Sequence, residues 1–476
     1  MDRPNIVIIL ADDTGYGDVG CYNDESKIPT PHIDRMAAEG VRFTDAHSPS
    51  ALCSPTRYGV LTGRYYWRTY KKHSLVMPYE PPVIEPDRPT LATMLRDRGY
   101  ATACVGKWHL GLRYPSRQGA GERYTQREAD IDFARPLDGG PIELGFDYFF
   151  GTAGCSTSDA PYCYIENDRT VGIPSVPSTE DLHKLPGFYP GLMTPDWSET
   201  EVDATFVEKS VAFIDRHLAD HPDRPFFLYH ALSAPHIPWL VPEFLQGASD
   251  EGPRGDMNVL VDWCVGQIRD ALARRGILDD TLLIFTSDNG PQRGANGHSS
   301  AGPYRGFKNS AFEGGHREPF VARWPGRIEA GSVCDEPLCL TDMMATLADI
   351  TGAAMPDGAG EDSFSVADAL LGRGGGCQPA RPAMIADTGG YSAKVADLAI
   401  RRGKWKLIVP APAGDKDSKP ARMRTGIEPG SEPMLFDIHA DPGESEDVSS
   451  RNPEIVADLL ALLAKAKQTG LRNIHP

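Results

Sequence analysis

Short runs of apolar residues that end in a cluster of polar and ionisable residues recur along the chain. Residues 6–10, 101–105, 226–229 and 282–286 are runs of this kind, and polar and apolar positions hardly alternate within them. Runs rich in β-branched and aromatic residues predict strands that are buried on both faces. The polar clusters that follow these four runs contain Asp12 and Asp13, Lys107 and His109, His236, and Asp288 and Asn289.

Helical patterns lie between the predicted strands. They cover residues 31–39, 90–98, 201–218, 255–275 and 342–350, and most of them stop at a glycine, which is a usual end signal for a helix. Strands that alternate with helices predict an α/β protein with a large mixed, mostly parallel sheet sandwiched by helices. Ligands bind beyond the carboxyl ends of the strands in such sheets, so we expect the four polar clusters to converge on one site.

The last hundred residues follow a different pattern. A glycine-rich stretch over residues 372–382 predicts a linker. Beyond it, residues 398–400 and 405–409 predict a hairpin, residues 434–436 a short strand, and residues 453–469 a closing helix. We therefore divide the chain into a catalytic domain, residues 1–375, and a smaller C-terminal α+β subdomain, residues 376–476, with a short antiparallel sheet and a helix.

Composition and charge exclude several classes of protein. The 476 residues contain 48 Lys and Arg against 66 Asp and Glu, which gives a formal charge of −18 and argues against a nucleic-acid partner. An anionic substrate stays possible, because a local site can be positive in an acidic protein. Nine cysteines in a chain of this length are too few for a disulfide framework.

The chain contains no run of 18 or more apolar residues, so no membrane span is expected. The first apolar run, residues 6–10, is too short for a signal peptide and is followed by two aspartates. The sequence as coded therefore predicts a cytoplasmic protein. A sequence from which a leader had been trimmed would look the same and would belong to a periplasmic or secreted protein.

One cysteine lies in a suggestive position. Pro55 suits the first position of a helix that runs towards Gly63, which puts Cys53 near the helix N-terminus, where backbone donors favour an anion. Arg57, one turn further on, adds positive charge. Taken alone, the same residues also fit a buried structural cysteine before a helix.

The residues that follow favour a functional cysteine. The segment over residues 53–64, CSPTRYGVLTGR, closely resembles the signature of the type I sulfatases of the alkaline phosphatase superfamily. Further segments resemble the motifs of that family in the same order: residues 5–17, 106–111, 235–236, 288–290, 306–308, 435–437 and 441–444. The resemblance implies that a formylglycine-generating enzyme converts Cys53 into formylglycine during maturation.

Oxygen ligands at two strand ends predict a metal site. Asp12, Asp13, Asp288 and Asn289 offer four hard oxygen donors, which suit Ca²⁺ or Mg²⁺. An Asp-Asp pair after a strand is by itself more often a turn or a helix cap. The resemblance to sulfatases implies one Ca²⁺ per chain, with an oxygen of the modified Cys53 in its shell.

The resemblance also implies roles for the cationic residues. Lys107 would bind a sulfate oxygen, and His109, two residues on, would act as a base on the formylglycine hydrate. His236 and Lys308 would lie beside the leaving oxygen, and Arg57 would stabilise the charged nucleophile. One hydroxyl of the hydrate would attack sulfur, and His109 would then deprotonate the second hydroxyl so that sulfate is expelled.

Two alternatives stay open at this point. A phosphonate monoester or phosphodiester hydrolase of the same superfamily can carry the same cysteine motif, although Asp13 and Asn289 favour a sulfatase. A catalytically dead module that only binds sulfated glycans would need none of the catalytic set, which is complete here.

The substrate class is indicated by two further segments. Residues 161–168 and 303–308 resemble bacterial glycan sulfatases of the N-acetylgalactosamine-6-sulfatase and arylsulfatase type. This predicts a sulfated carbohydrate or a sulfated small molecule as substrate, and aryl sulfates as substrates in vitro. Arg293, His298 and Arg305 lie in a polar loop near Lys308 and are either specificity residues or solvated loop residues.

Overall fold

The computed structural model describes residues 3–118, 123–373, 381–389, 395–413 and 427–474. Its strands are β1 (Asn5–Ala11), β2 (Val41–Phe43), β3 (Ala46–His47), β4 (Ala101–Lys107), β5 (Tyr114–Pro115), β6 (Tyr124–Thr125), β7 (Tyr148–Thr152), β8 (Tyr164–Glu166), β9 (Arg169–Val171), β10 (Val176–Pro177), β11 (Leu192–Met193), β12 (Phe226–Ala231), β13 (Thr281–Ser287), β14 (Phe320–Arg323), β15 (Ser332–Cys334), β16 (Leu338–Cys339), β17 (Met384–Asp387), β18 (Leu398–Arg402), β19 (Trp405–Val409) and β20 (Met434–Asp437). Its α-helices are α1 (Pro31–Glu39), α2 (Cys53–Thr62), α3 (Leu91–Asp97), α4 (Glu180–His183), α5 (Val202–Asp220), α6 (Pro253–Arg274), α7 (Met343–Thr351), α8 (Ala367–Leu370) and α9 (Pro453–Thr469).

A ten-stranded mixed sheet forms the centre of the molecule. Its strand order is β15-β2-β14-β13-β1-β12-β4-β7-β8-β9. The five strands from β13 to β7 are parallel to one another, and antiparallel pairs join β14 and β8 to this parallel block. The predicted large, mostly parallel sheet is confirmed, and all four predicted strands lie in its parallel block.

Both faces of the sheet are covered by helices, which explains why the strand sequences do not alternate. In β1, Ile6 and Ile8 pack on one face, in a core that includes side chains of α2, α3 and α7. Val7 and Ile9 pack on the opposite face with side chains of α1, α5 and α6. Successive side chains of a strand point to opposite faces, so a strand covered on both sides must be apolar throughout.

The helix predictions are confirmed with small shifts at the ends. Helix α1 has the predicted bounds, whereas α3, α5, α6 and α7 differ from the predicted ranges by one or two residues at one or both ends. One detail was wrong: α2 begins at Cys53 itself, so Pro55 is its third residue and not its first. Gly63 ends this helix in the left-handed conformation, with φ of 63°.

The C-terminal part forms a separate antiparallel sheet. Strands β17, β18, β19 and β20 pair in that order, and α9 packs against them. Its core includes Ile400 and Leu459 and also Tyr65 and Trp67 from the segment after α2, so the two parts share a packed interface. The boundary drawn at 375/376 lies outside the described residues and stays a prediction, as do residues 374–380 of the linker.

Among the residues that the structure describes, no helix is both long and apolar enough to cross a membrane.

Candidate active site

The four polar clusters meet at one edge of the large sheet, as the sequence predicts. Asp12 directly follows β1 and Asp288 directly follows β13, while Lys107 is the last residue of β4. His236 lies on the loop that leaves β12. These four strands are parallel neighbours, so their carboxyl ends lie side by side.

Cys53 lies at the centre of this edge. It is the first residue of α2, and its side chain is buried. The Sγ atom is 3.6 Å from Asp12 Oδ1 and 3.4 Å from Lys308 Nζ. A hydrogen bond from the Cys155 thiol and the ammonium groups of Lys107 and Lys308 hold the pKa of Cys53 well below its ordinary value, although burial alone would raise it.

Three carboxylates lie close to Cys53. Oxygens of Asp12, Asp13 and Asp288 and the Cys53 sulfur all lie within 4.8 Å of one another. Burial and the neighbouring Asp12 raise the pKa of Asp288 well above its ordinary value. Asp13 has a φ of 81°, a backbone conformation that is uncommon outside glycine and concentrates at functional sites.

Two buried oxygens in this group have no partner. They are Asp13 Oδ2 and Asn289 Oδ1, and the Asn289 amide nitrogen donates 2.6 Å to the other Asp13 oxygen. Buried polar atoms are normally paired, and unpaired oxygens beside crowded carboxylates are typical of a cation site. The side chains of Asp12, Asp13, Asp288 and Asn289 therefore fit a hard divalent cation such as Ca²⁺.

Arg57 connects Asp288 to the end of β4. It is completely buried, and its Nε and one terminal nitrogen donate to Asp288 Oδ2 at 3.0 and 2.8 Å. Its other terminal nitrogen donates 3.0 Å to the backbone oxygen of Lys107. Because the guanidinium is planar and carries five donors, it orients Asp288 and the end of β4 together.

Two lysines complete the charge balance. Lys107 forms a buried ion pair with Asp12, and Lys308 forms one with Asp13. Burial lowers the pKa of each lysine, but the neighbouring anionic groups, led by Asp12 for Lys107 and by Asp13 for Lys308, together raise it, so both lysines are cationic at neutral pH. With Arg57, three formal positive charges match the three carboxylates, and a bound divalent cation would leave the site positive for an anionic substrate.

His109 is set up to accept a proton. Burial and the nearby Lys107 lower its pKa, which keeps the imidazole neutral at neutral pH. Its Nε2 lies 3.0 Å from the backbone oxygen of Val76, so Nε2 carries the hydrogen and Nδ1 is left with a lone pair. The residue has a φ of 56°. Gly106 lets the backbone leading to it pass close to β12, because a Cβ there would lie 1.8 Å from the Ala231 oxygen.

Cys155 is a site residue that the sequence analysis missed. Its Sγ lies 3.6 Å from His109 Nδ1 and 3.7 Å from His236 Nε2, so its sulfur contacts both histidines. Asp159 accepts the Cys155 backbone N–H at 2.8 Å and fixes this loop. The signal that could have found it is the same one used elsewhere, because the aromatic residues 148–150 of β7 are followed within a few positions by the mostly polar residues 154–159.

The loop residues after β13 divide into two groups. His298 Nε2 lies 2.8 Å from Asp18 Oδ1 in a buried network with Arg254, and Arg305 donates 2.8 Å to the Glu444 backbone oxygen. These two side chains are held in structural contacts. Arg293 is exposed and lies over the ring of Phe307, so it is the one of the three that stays a candidate for specificity.

The fold and this arrangement of cations around a buried helix N-terminus define an α/β enzyme built for an anionic ester. The model of the Sulfatase family matches residues 4–353, and the chain belongs to that family. It is accordingly a sulfuric ester hydrolase, and enzymes of this family generally use a formylglycine residue and a metal ion.

Relatives match over nearly the whole chain. An N-acetylgalactosamine-6-O-sulfatase of Bacteroides thetaiotaomicron is 32% identical over 98% of this chain and 93% of its own length. Human arylsulfatase A is 33% identical over 98% of this chain and 88% of its own length. A solved structure from work on glycosaminoglycan metabolism by B. thetaiotaomicron has a TM-score of 0.83 and 32% identity, and covers 98% of this chain and 100% of its own.

Proposed function

We propose that this chain hydrolyses sulfate esters of carbohydrates, and aryl sulfates in vitro, with formylglycine made from Cys53 as the nucleophile and one Ca²⁺ per chain. The observation that carries the proposal is the position of Cys53. Its sulfur lies within 4.8 Å of oxygens of Asp12, Asp13 and Asp288 and 3.4 Å from Lys308 Nζ, and a ring nitrogen of His109 lies within 4.8 Å of it.

Conversion of Cys53 would supply two hydroxyls on one carbon in place of a thiol. A formylglycine-generating enzyme must reach this residue before the chain folds, because all ten residues of α2 are buried in the folded protein. The folded protein therefore offers that enzyme no access to the motif over residues 53–57.

Asp12, Asp13, Asp288 and Asn289 would hold the calcium ion, together with an oxygen on residue 53. The ion would withdraw charge from the sulfate oxygens. The unpaired Asp13 Oδ2 and Asn289 Oδ1 support this assignment, and so does the absence of thiolate and imidazole among these four ligands.

The remaining residues bind the sulfate and move protons. Lys107 donates to a sulfate oxygen from the end of β4. His236 or Lys308 donates the one proton that the oxygen of the departing alcohol takes up, and Arg57 supports the charge of the site through Asp288. His109, neutral and with its lone pair on Nδ1, removes the proton from the hydroxyl that remains so that sulfate can leave.

A carbohydrate is the substrate class that the surroundings favour. The first two relatives described above are an N-acetylgalactosamine-6-O-sulfatase and an arylsulfatase A. Three residues after His236, the half-exposed Trp239 donates its indole N–H to the Pro235 oxygen at 3.1 Å. A fixed aromatic face beside the residue assigned to the leaving group is suited to stacking on a sugar ring.

The test begins with two preparations, made with and without a formylglycine-generating enzyme and checked by peptide mass at residue 53. We expect sulfate release from 6-sulfated N-acetylgalactosamine saccharides and from nitrocatechol sulfate only in the converted preparation. Full activity with an intact Cys53 thiol would overturn the proposal. Faster cleavage of phosphonate monoesters than of any sulfate ester would favour the phosphonate or phosphodiester hydrolase instead.

Elemental analysis of the active preparation tests the metal. We expect about one calcium per chain, and Asp13→Asn should lose both the calcium and the activity, whereas the exposed Asp24→Asn should keep both. A fully active enzyme that contains zinc, or no metal at all, would contradict the calcium assignment.

A further inference from the structure

We propose that the chain in which Cys53 is still a cysteine binds a soft divalent cation, of which Zn²⁺ is the best match, through Cys53, His109, Cys155 and His236. These four side chains form a nitrogen and sulfur site, which shares only residue 53 with the oxygen site proposed for calcium. The inference goes beyond the proposed sulfatase activity and does not depend on it.

The four ligand atoms fall into two overlapping groups that share Cys53, and Cys155 contacts both histidines. Cys53, His109 and Cys155 offer ligand atoms within 4.8 Å of one another, and so do Cys53 and His236 together with Asp12. The Cys155 sulfur is 3.6 Å from His109 Nδ1 and 3.7 Å from His236 Nε2. Zinc bonds of the usual lengths to sulfur and nitrogen in a tetrahedron separate those two atoms by about 3.6 Å.

In both imidazoles, a hydrogen bond from one ring nitrogen leaves the lone pair on the other nitrogen, which is the one that faces Cys155. His109 Nε2 donates to the backbone oxygen of Val76, which leaves the lone pair on Nδ1, the atom that faces Cys155. His236 Nδ1 lies 2.6 Å from the backbone oxygen of Ile237, which leaves the lone pair on Nε2, the atom that also faces Cys155. Histidines that bind metals are typically held in this way, with the other ring nitrogen bonded to a carbonyl.

The charge of the group also suits zinc. Binding would break the S–H bonds of Cys53 and Cys155, release their protons to solvent, and form two sulfur–zinc bonds, so two thiolates neutralise the ion. Lys308 Nζ, 3.4 Å from the Cys53 sulfur, supports a thiolate there. Two thiolates and two neutral imidazoles are a common zinc ligand set and a poor one for calcium.

Conversion of Cys53 would therefore change the metal preference of the site. The unconverted chain has four nitrogen and sulfur ligands, and the converted chain would have only His109, Cys155 and His236. This step alone rests on the proposed function. Zinc would then stay bound to the unconverted chain, which lacks the formylglycine nucleophile.

The experiment uses the full chain produced without a formylglycine-generating enzyme, with the Cys53 thiol verified by peptide mass. Zn²⁺ affinity is measured by competition with a chromophoric chelator, and Co²⁺ is used as a spectroscopic probe. We expect one Zn²⁺ per chain, and a Co²⁺ spectrum with thiolate charge-transfer bands and the intense visible bands of tetrahedral coordination. Cys155→Ser should weaken Zn²⁺ binding at least about 100-fold, because even changes outside the ligand shell cost 10–100-fold.

Cys334→Ser is the matched control, since Cys334 is half-buried on the edge strand β15 and should leave Zn²⁺ binding unchanged. Asp13→Asn separates the two metal sites, because it removes an oxygen ligand and should leave the Zn²⁺ affinity within a few-fold. Circular dichroism checks that each variant is folded. Unchanged Zn²⁺ affinity in a folded Cys155→Ser protein, or a Co²⁺ spectrum without thiolate bands, would overturn the proposal.

The two proposals fail separately. Absence of Zn²⁺ binding in unconverted protein would leave the sulfatase assays of converted protein untouched. An inactive converted enzyme would leave the Zn²⁺ titration of the unconverted chain unaffected. A converted preparation that binds Zn²⁺ as tightly as the unconverted one would show that Cys53 is not a ligand, and so would also overturn the zinc site.

Discussion

Among the buried clusters of charged residues that the structure describes, two differ in what lies beside those of their oxygens that accept no hydrogen bond. The catalytic cluster comprises Asp12, Asp13, Cys53, Arg57, Lys107, His109, His236, Asp288, Asn289 and Lys308. The interface cluster lies between the large sheet and the C-terminal sheet and comprises Asp45, His47, Glu313, His316, Arg317, Arg401, Lys406 and Glu444. Both contain carboxylates, cations and a pair of histidines.

Every carboxylate of the interface cluster has a cationic partner, as do the three carboxylates of the catalytic cluster. Asp45 is bonded by Arg401 at 2.6 Å and also by Arg317, and Lys406 lies 2.9 Å from Glu313 and 2.8 Å from Glu444. Glu313 Oε2 and Glu444 Oε1 of the interface cluster have no hydrogen-bond partner, but each lies 2.8 Å from a cationic nitrogen, of Arg317 and of Lys406 respectively. In the catalytic cluster, Asp13 Oδ2 and Asn289 Oδ1 also lack a hydrogen-bond partner, and these two side chains are bonded to each other through their other atoms. Burial of charge therefore does not identify a reactive site by itself, whereas unpaired oxygens beside a nucleophile position indicate where a ligand belongs.

The comparison predicts that changes in the catalytic cluster remove activity and leave folding intact. Cys53→Ala should lower sulfate release by at least about 10⁴-fold, because it removes the proposed nucleophile. The melting temperature should change little, since the substitution removes a single sulfur atom. Activity is measured by sulfate release and stability by calorimetry. Residual activity within tenfold of the unchanged protein would remove Cys53 from the mechanism.

A narrower change separates the roles within the catalytic cluster. His236→Ala and Lys308→Ala should lower kcat/KM on sugar sulfates by about 10²–10⁴-fold and on nitrophenyl sulfate far less, because a phenolate leaves without much protonation. His109→Ala should affect both substrates similarly, because the alcohol has already departed at its step. Single-turnover rates separate the first chemical step from the second.

The exposed His439→Ala provides a control on both substrates. Equal losses on sugar and aryl sulfates for His236→Ala and Lys308→Ala would rule out the general-acid role, and these residues would be static contacts to the substrate.

The interface cluster should respond in the opposite way, with a loss of stability. Lys406→Met leaves Glu313 and Glu444 without their shared cation and should cost roughly 3–5 kcal/mol of unfolding free energy. Because the clusters share no side chain, kcat/KM per folded molecule should stay within about twofold. The double variant Lys406→Met/Glu444→Gln should recover part of the loss, and no recovery would contradict the ion-pair explanation.

The smallest expected effect is a pH dependence of stability. Burial and Arg317 lower the pKa of His47 from 6.5 to about 4, although Glu313 and Asp45 oppose the shift. Between pH 6.5 and about 4, His47 is therefore protonated in the unfolded chain and neutral in the folded protein. The contribution of His47 to the free energy of unfolding is complete above pH 6.5. It decreases by roughly 3 kcal/mol as the pH falls from 6.5 to about 4.

The measurement is the unfolding free energy of the unchanged protein and of His47→Gln between pH 7.5 and 4. The variant should show a shallower decline over this range, whatever its stability at pH 7.5. Parallel curves for the two proteins would show that His47 does not titrate on unfolding.

The sequence predicted those parts of the site that come directly after apolar runs. Asp12 and Asp288 directly follow a strand and Lys107 is the last residue of one. Burial of these strands on both faces is visible as unbroken hydrophobicity, and parallel pairing brings such ends together. Cys155 was missed because the strand that precedes it, β7, is short and aromatic and was not recognised. His298 and Arg305 could not be separated from Arg293, because their partners Asp18 and Glu444 are far away in the chain.

By itself, the sequence determined the class of fold, the order of the elements and the family, since hydrophobic periodicity, helix end signals and contiguous motifs are local properties of the chain. Only the tertiary structure decided which polar atoms find partners. Two features arise from contacts between segments far apart in sequence. One is the pair of oxygens of Asp13 and Asn289 that have no hydrogen-bond partner, and the other is the position of Cys155 beside the lone-pair nitrogens of His109 and His236. Hydrogen bonding and burial act over a few ångströms in space, so their outcome is set by packing and not by spacing along the chain.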